Sequence, residues 1–260
     1  MSVKSFTAPQ IVALRAKWRK ERGVRTVNYV LSILSILMVP AIEMGLINSN
    51  PLRDVRKIRK ADDGVTRNRP WQLHERKAVL DVAPPHLKVP IVLGMYYGMR
   101  EGDVLALPRR ILSTGEIKVL TNKRKVPICL PIFRELNSAV ELNDSALRLH
   151  NIHPAPDARL CLNSRGSAWT MCGFISSFQK FRKKLEAKGD VSPGLTFHGL
   201  RHTVATVLAE AGVEAETIAA WLGQRSTAMA MHYSREANRH SQVRAVLGKF
   251  NPLGASPTDE

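Results

Sequence analysis

The sequence predicts a mainly helical protein with one small β-hairpin, built as a short helical N-terminal domain and a larger second domain. Three observations lead to this prediction. Apolar residues recur at helical spacing in several segments, such as residues 170–188, in which three phenylalanines and a leucine share one face. The segment EIKVLTNKRKVPICLP has two short apolar runs around a polar turn, a pattern typical of a hairpin. Proline at both ends of residues 51–70, with Asp-Asp-Gly between them, indicates a linker.

The N-terminal domain is predicted to contain two helices. Pro9 suits a first helical position and Gly23 a stop, so the first helix should span about residues 9–22. The second should span about residues 26–44 and bend at Pro40. This second segment is strongly apolar, but polar residues and the proline interrupt it. We therefore interpret it as a buried helix of a soluble protein and not as a membrane span.

The second domain is also predicted to be mostly helical, with the hairpin over about residues 116–130 and a loop at 143–157. The predicted helices cover about 74–83, 87–97, 132–142 and 170–188. One more helix should begin after Thr196, a residue type that caps helix N-termini, and stop at Gly212. The predicted domains are residues 1–60 and 72–250, with a linker at 61–71 and a flexible tail at 251–260.

The charge of the chain points to a polyanionic partner. Lysine and arginine number 39 against 22 acidic residues, which gives a net charge of +17 and a pI near 10.3. Residues 1–70 hold 14 of the basic and 5 of the acidic residues, a net +9, and so carry over half of the surplus. Nucleic acid is the usual partner of such a chain, and a merely solubilising surface is the alternative.

The basic run in the linker supplies candidate DNA-binding residues. A basic linker can lie along the phosphate backbone and make affinity fall steeply with salt, whereas the alternative is a solvated loop that contacts nothing. The candidates are Arg53, Arg56, Lys57, Arg59 and Lys60.

The cysteines and the N-terminus give an expectation about the compartment. Cys129, Cys161 and Cys172 show no C-x-x-C spacing and leave an odd count, which favours a reducing cytosol over a disulfide framework or a zinc site. The first ten residues lack the apolar core of a signal peptide. We therefore expect a cytoplasmic protein without a metal.

The segment TFHGLRHTVATVLAEAG contains the strongest candidate site. His198 and Arg201 are three residues apart, so they share one face of the predicted helix near its start, where free N–H groups and the helix dipole favour a phosphate. A lone tyrosine, Tyr233, follows in WLGQRSTAMAMHYSR. Breaking and rejoining DNA without a cofactor requires a nucleophile that holds a phosphate covalently, cations that stabilise its charge, and a proton shuttle.

Three strings of this sequence resemble those of the tyrosine recombinases, the phage-integrase family of site-specific DNA recombinases. They are H-x-x-R-H-T starting at His198, L-G-x(9)-Y ending at Tyr233, and GMYYGMREGDVLAL, which looks like the segment carrying the family's first catalytic arginine. The resemblance extends over about residues 27–250. It implies that the second domain is a tyrosine-recombinase catalytic domain.

The resemblance implies a role for each matching residue. Tyr233 would attack the scissile phosphate, while Arg100 and Arg201 would bind its non-bridging oxygens through their planar guanidinium groups. Asp103 would orient Arg100. His198 would either accept the proton of the tyrosine or donate to the phosphate oxygen, and the sequence leaves this choice open.

Three further residues are assigned less directly. The family keeps a catalytic lysine in a mobile hairpin turn, and we assign it to Lys123, with Lys125 as the alternative and as a DNA contact. Gln224 stands where the family most often has histidine; its amide can donate a hydrogen bond but cannot carry a charge near pH 7. His202 is interpreted as a structural, hydrogen-bonding histidine.

The activity implied by the resemblance is integration or excision of a mobile element. DNA attachment sites would be cut through a 3′-phosphotyrosyl intermediate without metal or ATP, by a homotetramer on synapsed DNA that accessory DNA-bending proteins can assist. A type IB topoisomerase and a non-catalytic DNA-binding protein derived from a recombinase are the alternatives.

Two regions bear on DNA binding and assembly. The string TVNYVLSILSILMVPAIEMGLINSNP resembles the closing helices of the integrase core-binding domain, which clamps DNA, but only one helix precedes it here where the family has about two more. We therefore interpret residues 1–60 as a reduced core-binding domain, and the alternative is that the chain starts late within a longer ancestral frame. The resemblance also suggests that the apolar segment after Tyr233, SREANRHSQVRAVLGKFNPLG, docks on a neighbouring protomer. Packing on its own domain is the alternative.

Overall fold

The computed structural model describes residues 5–59, 68–123 and 125–235, and it divides into two compact units, Met1–Gly64 and Val65–Glu260. The division falls inside the linker predicted at 61–71. The domain roles assigned from the sequence stay predictions, and the tail predicted at 251–260 lies outside the described residues.

Unit 1 is a pair of helices, α1 (Ala8–Glu21) and α2 (Val24–Glu43). A capping box closes the start of α1, because Thr7 and Gln10 exchange side-chain and backbone hydrogen bonds. The two helices pack around a small core that includes Ile11, Val27 and Leu31, with Leu52 from the segment that follows α2.

The prediction that the second helix is buried is only partly right. One face of α2 is buried, but Tyr29, Ile36 and Leu37 are 66%, 68% and 59% exposed. By length and composition alone α2 could cross a membrane, and 22% of its apolar window is buried. One such helix is weak evidence for a membrane span, since core helices and signal sequences have the same composition.

The basic segment after α2 is held along that helix by an asparagine. The side chain of Asn28 donates from Nδ2 to the carbonyl oxygen of Ile58 over 2.8 Å and accepts from the Ile58 N–H over 2.9 Å. This pair of bonds fixes the backbone where four of the candidate DNA-binding residues lie. Arg53, Arg56, Lys57 and Arg59 are all exposed.

The described part of unit 2 is mostly helical with one β-hairpin, as the predicted fold class requires. Its helices are α3 (Leu73–Val82), α4 (Pro85–Tyr97), α5 (Glu101–Ala106), α6 (Arg134–Arg148), α7 (Met171–Lys188), α8 (Phe197–Glu210) and α9 (Ala215–Trp221), with a 3-10 helix at Arg109–Thr114. The strands β1 (Glu116–Leu120) and β2 (Pro127–Pro131) pair antiparallel, with Ile117 opposite Leu130. Residues 228–235 are also helical and are called the tyrosine helix below.

Helix α4 lies at the centre of unit 2, between α6 and α8. It is apolar nearly all round, as expected for a helix enclosed on every side, and Leu87, Ile91 and Leu93 are almost completely buried. Tyr97 at its end is buried too, and its hydroxyl accepts a hydrogen bond from the Phe133 N–H over 2.8 Å.

The predicted loop at 143–157 begins too early. Helix α6 continues to Arg148, because Asn143 and Asp144 face the core together with Leu147. Asp144 is tolerated there because Arg109, in the 3-10 helix, forms a salt bridge with both of its carboxylate oxygens. The sequence prediction also missed α5, the 3-10 helix and α9, all too short to show a clear apolar period.

Two glycines allow distant segments to meet beside α8. Gly98 ends α4 with φ at +62°, and a Cβ there would lie 2.5 Å from Cδ2 of Leu222, at the end of α9. Gly223 has φ at +59°, and its Cβ would lie 2.7 Å from Cγ2 of Thr121, at the end of β1. The ends of α4 and α9 and the hairpin therefore converge on one place.

The start of α8 is held by the chain that enters unit 2. The indole N–H of Trp71 donates to the carbonyl oxygen of Thr196 over 3.0 Å, and its backbone N–H donates to Oγ1 of Thr203 over 2.8 Å. The buried carboxylate of Glu75 accepts two hydrogen bonds from Arg69, at 2.6 and 2.8 Å, and one from the Ser192 N–H at 3.1 Å. These bonds fix the loop just before α8.

Candidate active site

Helix α8 presents His198, Arg201 and His202 along one side of its first turns. Thr196 is its N-cap, as predicted, and Oγ1 of Thr196 accepts from the Gly199 N–H over 3.0 Å. The helix ends at Glu210, and Gly212 follows with φ at +80°. The first two turns of α8 therefore carry the basic groups of the site.

Arg201 is a buried cation that joins three segments. Its side chain is 7% exposed, and its guanidinium donates from Nη1 to the Gly98 carbonyl oxygen over 2.9 Å and from Nη2 to the Leu222 carbonyl oxygen over 2.6 Å. Burial first, and then repulsion from Arg100, lower the pKa of Arg201 to about 10, so it remains charged at neutral pH. The acceptor carbonyls belong to residues two positions before Arg100 and Gln224, so Arg201 holds both of those residues near itself.

Asp103 connects Arg100 to the hairpin. Nη1 of Arg100 is buried without a hydrogen-bond partner among the described residues, and it lies 3.9 Å from Oδ2 of Asp103. The other oxygen of Asp103 accepts from the Asn122 N–H over 2.7 Å, and Nδ2 of Asn122 donates to the Gly102 carbonyl oxygen over 3.2 Å. The carboxylate predicted to orient Arg100 therefore also anchors the hairpin turn.

The hairpin turn brings Lys123 to the site. Lys123 is exposed and follows Asn122 directly, whereas Arg124 lies outside the described residues. Backbone bonds between Thr121 and Val126 and between Lys125 and Thr121, each 2.9 Å, close the turn. Lys125 adopts a positive φ of 52° and is exposed.

Tyr233 lies on the tyrosine helix with its ring almost completely buried, 7% exposed. Its hydroxyl forms a hydrogen bond with Nδ1 of His202. The ring of His198 lies next in line, 5.1 Å from that of His202 between centroids and nearly perpendicular to it. The ring of His202 therefore contacts both His198 and the phenol of Tyr233.

Both imidazoles lie in surroundings that disfavour a positive charge. Burial is the largest cause that lowers the pKa of His198, and His202, Arg201, Arg100 and Lys123 lower it further. Burial also lowers the pKa of His202, followed by repulsion from Arg201 and His232. Both rings are therefore neutral near pH 7, with one nitrogen able to accept a proton and the other able to donate.

These side chains surround one pocket of about 290 Å³. The residues that line it are Arg100, Lys123, His198, Arg201, His202, Leu222, Gln224, Ser226, Met229 and Tyr233. All six residues predicted to be catalytic are among them. Oε1 of Gln224 is buried without a hydrogen-bond partner among the described residues, so that amide has bonding capacity left. Two guanidinium groups, a lysine and several neutral donors form a pocket suited to a phosphate.

Several predicted site residues lie elsewhere. Four of the candidate DNA-binding residues belong to unit 1, Lys60 lies outside the described residues, and Lys125 is not in the lining of the pocket. His202, interpreted from the sequence as a structural, hydrogen-bonding histidine, shares its hydrogen bond with the tyrosine hydroxyl. Its position four residues after His198, on the same side of α8, is the sequence feature that could have placed it in the site.

Comparison with known proteins identifies the family. Residues 76–240, more than half of the chain, match the model described as the phage integrase family. The chain belongs to this family.

Two integrases of mycobacterial phages are similar to this chain. The integrase of Mycobacterium phage D29 is 23% identical over 222 residues, which cover 79% of this chain and 57% of that protein. The integrase of Mycobacterium phage FRAT1 is 24% identical over 222 residues, covering 79% of this chain and 64% of that protein. The chain thus matches less than two thirds of the length of either integrase.

Solved structures of integrases share the fold. The lambda integrase dimer bound to a COC′ core site has a TM-score of 0.64 at 20% identity, covering 89% of this chain and 65% of that one. The Tn1549 transposon integrase in complex with a circular intermediate DNA has a TM-score of 0.70 at 17% identity, covering 93% and 86%. A lambda integrase tetramer bound to a Holliday junction has a TM-score of 0.63 at 20% identity, covering 89% and 65%.

Replacement of Asp103 by alanine should loosen the hairpin turn. The substitution removes the acceptor of the Asn122 N–H and the carboxylate beside Arg100, at a cost of about 1–3 kcal/mol in the free energy of unfolding for a buried group left unpaired. Hydrogen exchange measured by mass spectrometry should become faster in the turn around Asn122. Asp157→Ala, at an exposed loop position, serves as the control. Unchanged exchange in the turn of the Asp103 variant would show that the carboxylate does not hold it.

Proposed function

We propose that this protein is a site-specific DNA recombinase that integrates or excises a mobile element. One observation carries the proposal: the pocket beside α8 is lined by all six residues expected to act in strand cleavage, although they come from widely separated parts of the chain. Family membership and the DNA-bound integrases of the same fold support it.

The first step of the proposed reaction is binding of the scissile phosphodiester. Among the described residues, Arg201 donates two of its five N–H groups to backbone carbonyls, which leaves three, and Nη1 of Arg100 has no hydrogen-bond partner. A phosphate in the pocket would use these donors and offset the repulsion between the two arginines. The cations are held in place before the substrate arrives, which is the arrangement that best stabilises charge developing in a transition state.

The chemical step is a transesterification. The oxygen of Tyr233 forms a bond to phosphorus as the bond to the 5′-oxygen breaks, which leaves a 3′-phosphotyrosyl link and a 5′-hydroxyl. Lys123 protonates the leaving oxygen from the hairpin turn. A new phosphoester replaces the old one, so rejoining by the reverse step needs neither ATP nor a metal.

Gln224 would help to bind the phosphate without carrying a charge. In this proposal its amide N–H groups donate to a phosphate oxygen, as the residue at this place does in the family. A neutral donor contributes about half as much as a charged one, which corresponds to roughly tenfold in rate. The nucleophile and both arginines are retained, so this substitution is compatible with an active enzyme.

Unit 1 and the basic segment that follows α2 would bind the DNA backbone. Asn28 fixes that segment, and four arginine and lysine side chains project from it into solvent. Neutralising phosphates along the duplex provides affinity without sequence preference, while the pocket of unit 2 acts on one phosphate.

Assembly into a tetramer on synapsed DNA is the third part of the proposal, supported by the lambda integrase tetramer bound to a Holliday junction. Unit 2 offers an apolar groove of about 390 Å³ between α3, α4, α8 and α9, lined by Leu80, Met95 and Val207 among others. The segment after the tyrosine helix has four large apolar residues, Val243, Val246, Leu247 and Phe250, and lies outside the described residues. We propose that this segment of a neighbouring protomer occupies the groove.

Two other functions use parts of the same site. A type IB topoisomerase would share the cleavage chemistry but relax supercoils without a partner site. A non-catalytic DNA-binding protein would keep the fold, but it has no need for two arginines, neutral histidines and a tyrosine around one pocket. Recombination between two sites distinguishes the first alternative, and covalent adduct formation distinguishes the second.

Tyr233→Phe tests the nucleophile. The variant should bind attachment-site DNA as tightly as the wild type but form no covalent adduct, because only the attacking oxygen is removed. Both proteins are incubated with nicked site DNA and separated after denaturation. Tyr96→Phe, at a residue packed against the core, is the control and should retain the adduct. An adduct from Tyr233→Phe would exclude this tyrosine as the nucleophile.

Replacing Arg56, Lys57, Arg59 and Lys60 by alanine tests the DNA backbone contact. Binding should weaken equally for all sequences, and the slope of log K against log salt should become shallower by up to about 3.6, that is, four contacts at 0.9 each. Fluorescence anisotropy at several salt concentrations measures the slope. An unchanged slope would mean that this segment lies off the DNA.

Truncation after Ser241 tests the assembly. The shortened protein should cleave single sites but fail to synapse and recombine two of them, because it lacks the exchanged segment. Val207→Glu in the groove should behave in the same way, whereas Val82→Glu, also exposed but outside the groove, should recombine normally. Normal synapsis and recombination by the truncated protein would exclude the exchanged segment.

A further inference from the structure

The tyrosine hydroxyl contacts a histidine other than the one expected to serve it. His202 lies one residue after Arg201 on α8, and Nδ1 of its ring shares a hydrogen bond with the hydroxyl of Tyr233. The two rings lie 5.7 Å apart between centroids, at 67°. His198, the expected partner, packs edge-on against His202. His202 therefore stands between His198 and the phenol.

The surroundings of His202 favour a neutral ring. The groups that face the ring are Arg201 and His198 on its own helix and His232 and Tyr233 on the tyrosine helix. A protonated ring would lie half-buried beside a cation and two further imidazoles, so burial and repulsion lower its pKa. The ring is then neutral, and in the tautomer that carries its proton on Nε2 the Nδ1 atom accepts the hydrogen bond that the phenol donates.

We propose that His202 is the catalytic base for Tyr233, an inference that rests on the proposed strand-cleavage reaction. As the tyrosine oxygen bonds to phosphorus, its proton moves to Nδ1 of His202, and Lys123 supplies a different proton to the 5′-oxygen as the P–O bond breaks. His202 ends as an imidazolium and Lys123 as a neutral amine. Both protons return when the strand is rejoined, so no further reactant is required.

This assignment gives the two histidines different roles. His202 is occupied by the phenol, so His198 is left to donate from its ring to a non-bridging oxygen of the phosphate. Their spacing of four residues puts both rings on one side of α8, in the lining of the pocket that Arg201 and Tyr233 also line. A phenol with an ordinary pKa near 10 needs such a base at neutral pH.

The contact can be tested without DNA. Histidine residues are labelled with ¹⁵N, and the ring signals of His202 are assigned by their loss in His202→Asn. In the wild type, Nδ1 should be unprotonated and hydrogen-bonded, and Tyr233→Phe should shift its signal toward that of a free acceptor nitrogen. Tyr29→Phe, in unit 1, is the control and should leave the signal in place. If Tyr233→Phe does not move it, the proposal fails whatever the enzyme does to DNA.

The role is tested by cleavage of two substrates, one normal and one with sulfur in place of the bridging 5′-oxygen. A thiolate leaves without a proton, so the sulfur substrate restores a variant that lacks the acid but not one that lacks the base. His202→Ala should form adduct about 100-fold more slowly or worse on both substrates. Lys123→Ala should be slow only on the normal one. His150→Ala, at an exposed site, should match the wild type.

Two further readouts separate catalysis from a loss of folding. DNA binding by His202→Ala should equal that of the wild type, and added imidazole should restore part of its adduct formation. Wild-type rates in His202→Ala, or recovery on the sulfur substrate, would overturn the role as base. If the wild type itself forms no adduct with any attachment site, the proposed strand cleavage fails, and the role as base fails with it, while the NMR result still decides whether the contact exists.

Discussion

A buried cation holds this site together. Arg201 has its guanidinium group inside unit 2, where an unpaired charge would be strongly unfavourable, and it is stabilised by the carbonyl oxygens of Gly98 and Leu222. Those carbonyls lie just before Arg100 and Gln224 in the chain. The need to satisfy one charge therefore fixes two other members of the site, and a phosphate can be bound without prior rearrangement of α8.

Other contacts hold the segments that pack around α8. Gly98 and Gly223 supply the positive φ and the space that let the ends of α4 and α9 and the hairpin approach α8. Asp103 joins Arg100 to the turn that carries Lys123, so the residue expected to protonate the leaving group is positioned from the arginine side. Trp71 and Thr196 hold the beginning of α8. Polar contacts at the edge of an apolar core thus set the geometry of the site, while the core supplies rigidity.

Charge is distributed differently in the two units. The excess of positive charge is greatest in residues 1–70, and most of the basic side chains that the structure describes there are exposed, which suits the phosphates of a duplex. In the pocket of unit 2 the cations are few and the histidines are kept neutral by burial and by their neighbours. A neutral imidazole beside a phenol can receive a proton, whereas a charged one cannot. Positive charge favours DNA binding, but on these two rings it would prevent them from accepting a proton.

The sequence alone determined the fold class and the identity of most pocket residues. The helical period, the alternating hairpin and the spacing of His198, Arg201 and Tyr233 are local patterns, and local patterns can be read along the chain. The capping of α8 by Thr196 was predicted for the same reason. Short elements such as α5 and α9 were missed because one or two turns contain too few residues to define a period.

Tertiary structure decided what depends on contacts between distant segments. The sequence made Asn143 and Asp144 appear to belong to a loop, whereas both are buried in α6, where Arg109 forms a salt bridge with the Asp144 carboxylate. It made the second helix appear buried, although its burial depends on what packs against each face. His198 lies three residues before Arg201 and His202 one residue after it, and nothing local shows which of them contacts the tyrosine. The packing of the tyrosine helix against α8 decides this, because it places the phenol of Tyr233 against His202.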